Sequence, residues 1–176
     1  AKLASEGHSV TLAILGEGVT SRQGLTKPQQ TAALKALHKT SHTVAKAIGA
    51  KEVILENLPD NRFDSVPLLD VVQIVEKLIT KVKPQTVFTH SNSDLNIDHR
   101  VTFQAVLTAL RPMKGSSVEE LYSFETPSAT EWSFGRIADG FRPSCFFDIS
   151  KTLSTKLKAL GLYEGEMREF PHPRSL

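Results

Sequence analysis

The stretch TVFTHSNSDLNIDHRVTF, Thr86 to Phe103, carries the fold in miniature. Thr86 to Thr89 are β-prone and largely apolar, as a strand buried on both faces requires. A loop crowded with His90, Ser91, Ser93, Asp94 and Asn96 follows. Asn96 suits a helix N-cap, and Asp98 falls in the first turn, where the macrodipole favours an anion. Phe103, Val106, Leu107 and Leu110 then repeat at i, i+3, i+4 and i+7, the stripe of an amphipathic helix. Strand, polar loop and helix in succession form the unit from which parallel sheets are built.

Working outward, the unit recurs. SVTLAILG (9–16) and EVIL (52–55) read as two more buried strands. Between them, TKPQQTAALKALHKTSHTVAKAIGA (26–50) predicts a helix: Thr26 and Gln29 have capping-box spacing, Pro28 sits in the first turn and Gly49 closes it. SVPLLDVVQIVEKLITKVKP (65–84) predicts another, striped by Leu68, Val71, Val72, Val75, Leu78, Ile79 and Val82 and stopped by Pro84. Downstream, VEELYSFETPS (118–128) reads as strand and loop. SCFFDIS (144–150) reads as a strand with Cys145 in the core, and SKTLSTKLKALGLYEG (150–165) as a helix capped by Ser150. The alternation predicts one α/β domain over residues 1–176, a three-layer sandwich. In it Val10–Leu15, Val53–Leu55 and Thr86–Thr89 run parallel in one sheet with helices on both faces. The chain opens AKLASEGHSVTLAIL, without Met. Ala1 to Glu6 read as the last turns of a helix closed by Gly7, and a strand is expected before such a helix.

Composition narrows the partners. The 176 residues carry 21 Lys and Arg against 19 Asp and Glu, a net charge of +2 without basic runs, so a nucleic-acid surface is not expected. The lone Cys145 excludes a disulfide framework and suits a reducing compartment, here taken as the cytoplasm. Apolar runs stay short of the ~18 residues that cross a bilayer. Self-association into a homo-oligomer is left open.

Ligands of open α/β sheets bind beyond the carboxyl ends of the strands. Three loops leave such ends: GEGVTSRQG, ENLPDNRFD and HSNSDLNIDHR. Asp94, Asp98 and His99 suit a divalent metal, because an imidazole can ligate through one nitrogen while a carboxylate holds the other N–H. Structural capping by Asn96 and Asp98 explains the same residues equally well. One His and two Asp do not complete a zinc site.

THSNSDLNIDHRVTFQAVLTAL resembles the second signature of the LmbE-like, or GlcNAc-phosphatidylinositol de-N-acetylase, family of zinc-dependent deacetylases. GHSVTLAILGEGVTSR, AIGAKEVILENLPDNRFD, VVQIVEKLITKVKPQTVFTH, YSFETPSATEW and PHPRS resemble consecutive blocks of the same family. The resemblance implies a Rossmann-like sandwich and a Zn2+ cofactor. It implies a substrate that is an N-acetylated amino sugar, such as an N-acetylglucosamine conjugate, losing its acetyl group. His99 maps onto a zinc ligand. Asp98 precedes it as in the family and is placed with the catalytic residues. Asn96 stands where many members carry an oxyanion-stabilising His. Asp94 is expected to orient His99 from outside the coordination shell, and Thr20, Arg22 and His90 to touch substrate. The family draws two further ligands and its general base from a His-Pro-Asp-Asp-Glu motif at the end of its first strand. This sequence does not contain that motif, and His172-Pro173-Arg174 is no substitute. By ligand arithmetic the chain alone is expected to bind zinc poorly, and a full-length product carrying that motif to bind it well.

Two other classes stay in view. A non-catalytic relative would keep the fold and bind carbohydrate or a partner. A magnesium-dependent phosphotransfer enzyme using Asp94 and Asp98 would lack a phosphate-cradling glycine loop and leave His99 without a purpose.

Overall fold

Two parallel strand pairs organise the computed structural model of the chain, which describes residues 1–175. The chain divides into two compact units: residues 1–60 with the chain from Pro143 onward, and residues 61–142.

The first unit begins with α1 (Lys2–Ser5) and β1 (Thr11–Gly16). It continues through α2 (Lys27–Ala47) and β2 (Glu52–Leu58). β1 and β2 pair parallel, Thr11 opposite Glu52 through Ile14 opposite Leu55, with a register shift before Gly16 meets Leu58. The capping box at the start of α2 is formed as its sequence predicts: the Gln29 carboxamide accepts from the Thr26 N–H at 2.8 Å. At its far end Gly49 adopts φ +77, and a Cβ there would stand 3.1 Å from that of Ala4, so both conformation and space require glycine. Val44 and Ala45 of α2, Leu15 and Leu58 of the ladder, Val19 and Ala159 supply the apolar burial of this unit.

The second unit holds α3 (Leu68–Val82), β3 (Thr86–Thr89), α4 (Ile97–Ala109) and β4 (Glu120–Ser123). β3 and β4 pair parallel, from Thr86 opposite Glu120 to Thr89 opposite Ser123. α3 packs on α4. Val71, Val72 and Val75 of α3, with Ala105 and Val106 of α4 and Phe63, form the core. α3 ends with Lys83 in the left-handed region, one residue before Pro84.

The α/β class and the parallel strands are as the sequence predicts, and four details differ. β3 takes β4 as its hydrogen-bonded neighbour, so among the described residues the ladders are two pairs rather than one sheet of three strands. SCFFDIS forms no ladder. Cys145 is exposed there and Phe146 is 80% exposed, because an apolar run becomes a strand only where another backbone meets its N–H and C=O groups. Ser150 does not cap the last helix. The Asp148 carboxylate accepts from the Ser150 N–H at 2.9 Å and its hydroxyl at 2.5 Å, which starts a 3-10 turn (Ser150–Thr152) leading into α5 (Leu153–Gly161). On α4, Leu107 is half exposed while Asp98 joins Ala105 and Val106 on the buried face. No helix among the described residues is long and apolar enough to cross a membrane.

Phe63 is 2% exposed, whereas Phe134 is 80% exposed. Phe63→Ala is expected to lower unfolding free energy by about 3–5 kcal/mol and Phe134→Ala by less than about 0.5 kcal/mol in urea denaturation. Equal losses from the two would contradict this placement of the core.

Candidate functional site

The loop between β3 and α4 folds around one carboxylate. The Asp94 side chain is fully buried, and a buried anion must be met by donors. The His99 Nδ1–H donates to Asp94 Oδ2 at 2.8 Å, and the Asn96 backbone N–H donates to Oδ1, also at 2.8 Å. The Thr130 hydroxyl approaches Oδ2 at 3.4 Å. Burial pushes the Asp94 carboxyl up, but the hydrogen bonds from His99 and Asn96 and the charges of His99 and His90 outweigh it and hold it below the usual carboxylate range. Asp94 is therefore an anion in this setting. The Arg100 guanidinium secures the same turn from outside, donating to the carbonyls of Asp94 at 2.8 Å and Leu95 at 2.7 Å.

Two residues expected at the site shape the scaffold. Asn96 is the N-cap of α4, its Oδ1 accepting from the Asp98 N–H at 2.8 Å. Asp98 points its carboxylate at the 61–63 turn: the Asn61 N–H donates to Oδ2 at 2.6 Å and the Phe63 N–H to Oδ1 at 3.0 Å. Asn61 holds φ 55, a left-handed conformation that Asn tolerates better than most residues, and Asp98 secures it. Asp94, not Asp98, is the carboxylate that orients His99.

His90 follows β3 directly, and its ring stacks on that of His99 with centroids 3.8 Å apart and planes 2° from parallel. Phe124 lies 4.9 Å away at a tilt of 59°. Burial first, and then the neighbouring His99, push the His90 pKa down to about 4 against an upward pull from Asp94. His90 Nδ1 is buried without a hydrogen-bond partner.

His90, Asp94 and His99 each bring a possible metal donor atom within 4.8 Å of the others. The two imidazoles and the carboxylate of this set suit a divalent metal ion. A carboxylate on Nδ1–H fixes the tautomer in which Nε2 of His99 is free to ligate. An imidazole lone pair lies in the plane of its ring, and parallel stacked planes do not meet. The two rings therefore direct their lone pairs along separate, parallel planes. Nε2 of His99 is thus left available by the Asp94 hydrogen bond, and His90 stacks on that ring.

Thr20 and Arg22 lie in the first unit. The Thr20 hydroxyl accepts from the Asp60 N–H at 3.3 Å, while Arg22 pairs with Glu166 at 2.6 Å. Glu166 also meets Arg174 at 3.0 Å. Arg22 thus meets a later segment of the chain through an exposed ion pair. Thr130 escaped the sequence reading altogether. Its hydroxyl accepts from the Thr126 N–H at 2.7 Å and links the loop after β4 to Asp94. The run of Thr and Ser in TPSAT was the available signal, but nothing local identifies its distant partner.

The pattern of the PIG-L family, GlcNAc-PI de-N-acetylase, matches residues 1–110, which include His90, Asp94, Asn96, Asp98 and His99. Among solved structures, the chain superposes on GalB, the 4-carboxy-2-hydroxymuconate hydratase of Pseudomonas putida. That match has a TM-score of 0.68 and 19% identity, over 93% of this chain and 70% of that one. It also superposes on the N,N'-diacetylchitobiose deacetylase of Pyrococcus horikoshii, with a TM-score of 0.65, 17% identity, and 96% and 63% coverage. The conserved protein TT1542 of Thermus thermophilus gives 0.67 and 18%, over 93% and 69%. These likenesses show the Rossmann-like α/β fold of the LmbE/PIG-L kind. The chain spans less than two thirds of the chitobiose deacetylase. Among curated proteins, no sequence matches it.

Removing the Asp98 carboxylate strands two backbone donors. Asp98→Ala is expected to cost about 2–4 kcal/mol of stability, and Asp98→Asn less, because a carboxamide oxygen still accepts. Chemical denaturation measures both, and a neutral Asp98→Ala would contradict the clamp.

Proposed function

This chain belongs to the GlcNAc-PI de-N-acetylase (PIG-L) family, and from that premise we propose that it hydrolyses the acetamide of an N-acetylated amino sugar or its conjugate with the help of zinc. N-acetylglucosamine conjugates are the substrate class. The observation that carries the reading is the Asp94–His99 pair, whose 2.8 Å hydrogen bond leaves Nε2 of His99 as the free donor.

Zinc supplies Lewis-acid polarisation of an amide carbonyl and a water acidified towards pH ~7. His99 would hold the ion. Asp94 fixes the His99 tautomer and balances positive charge beside it. Asn96 spends Oδ1 on the cap, which leaves its Nδ2 as the end of the carboxamide able to donate to a developing oxyanion. Asp98 is assigned to supporting the 61–63 turn, since its two oxygens already accept backbone N–H groups. Thr20 and Arg22 remain the proposed sugar contacts, with Arg22 released from Glu166 when it engages substrate. A cytoplasmic setting accords with the free thiol of Cys145.

A second reading, a relative that binds carbohydrate without turnover, draws support from the single well-aimed ligand nitrogen. Deacetylation of N-acetylglucosamine conjugates separates the two. Activity is expected to vanish with a chelator, return with zinc, and disappear in His99→Ala. Asn96→Asp retains a cap acceptor but no amide donor, and is expected to lower kcat by about 10²–10³-fold with the helix intact by circular dichroism. Binding of these conjugates without hydrolysis would favour the second reading, and full activity in His99→Ala would remove His99 as a ligand.

A further inference from the structure

We infer that His90 is a positioning residue that fixes the plane of the His99 ring by stacking and does not itself ligate the metal. The inference deepens the proposed role of His99 and rests on it. A single hydrogen bond to Nδ1 fixes one direction in the plane of an imidazole but lets the ring rock about that direction. The Asp94 bond at 2.8 Å supplies this first constraint. The stack on His90, 3.8 Å between centroids and 2° from parallel, supplies the second. Together they leave the His99 Nε2 lone pair one aim, as preorganisation of a ligand demands.

His90 is itself held by packing. Phe124 tilts against it at 4.9 Å, and its buried Nδ1 finds no hydrogen-bond partner. A flat ring stacked on His99 and also packed against Phe124 is what a platform requires. The same parallel stack aims the lone pairs of the two rings along separate planes rather than at a common point.

Two substitutions separate the platform from the ligand. His90→Phe keeps a flat ring and removes every donor atom, whereas His90→Ala removes both. The first readout is the His99 Nδ1 proton in NMR spectra of the metal-free protein. It should stay protected from exchange in His90→Phe and broaden away in His90→Ala, while backbone spectra report that both variants fold. The second readout is zinc affinity by competitive titration. His90→Ala is expected to lose about 10–100-fold, the range for removing outer support of a ligand, and His90→Phe no more than about 3-fold. Equal, large losses of zinc affinity in both variants would make His90 a ligand and overturn the inference. So would an unchanged Nδ1 proton in His90→Ala. If the chain binds zinc too weakly to titrate, the His99 Nδ1 proton alone decides whether His90 sets its ring, and an unchanged signal in His90→Ala overturns the inference.

Discussion

A carboxylate buried at the end of a β-strand sets the terms for everything around it. Left alone in an apolar interior, the Asp94 anion would cost several kcal/mol, so the surrounding chain must bring it donors. It draws them from the His99 ring, the backbone of its own turn at Asn96 and the hydroxyl of Thr130. Each donor pins a different piece. His99 ties in the first turn of α4, Asn96 the turn that caps this helix, and Thr130 the loop after β4. The short parallel pair of β3 and β4 holds the two loops side by side, and α3 packed on α4 keeps the helix from drifting. Fold and site are therefore one set of constraints in this unit.

Several residues that look chemical are engaged in building. Asn96 caps, Asp98 clamps a turn, and Arg100 ties two carbonyls. A polar loop at the mouth of a sheet needs this, because each turn of backbone leaves N–H and C=O groups without ladder partners. Among the described residues of this loop, little remains for chemistry: one nitrogen of His99, the unpartnered Nδ1 of His90 and one amide end of Asn96. Solved neighbours of the same fold include a hydratase as well as a deacetylase, so architecture alone does not select a reaction. The few free groups have to do so.

Features governed by neighbours in sequence were legible before the structure. The capping box of α2, the stripe of α3, the Asn96 cap and the β3–loop–α4 unit all follow local rules of spacing and backbone geometry. A carboxylate partner for His99 was legible too, but local spacing offered both Asp94 and Asp98, and the fold takes Asp94. What depends on distant partners was not legible. Thr130 reaches Asp94 across 36 residues, and Asp98 answers backbone donors 35 and 37 residues away. The role of His90 turned on the angle between two rings, which no residue pattern encodes. SCFFDIS carries every local mark of a strand, yet a strand exists only where another backbone accepts it.

The account centres on His99 as the metal ligand and Asp94 as the group that aims it. A crystal grown with zinc and measured across the zinc absorption edge tests this directly. The predicted result is an anomalous peak about 2.0–2.1 Å from His99 Nε2, with Asp94 still on Nδ1 and the His90 ring still stacked. A peak bonded directly to Asp94, with the His99 ring turned away, would contradict it.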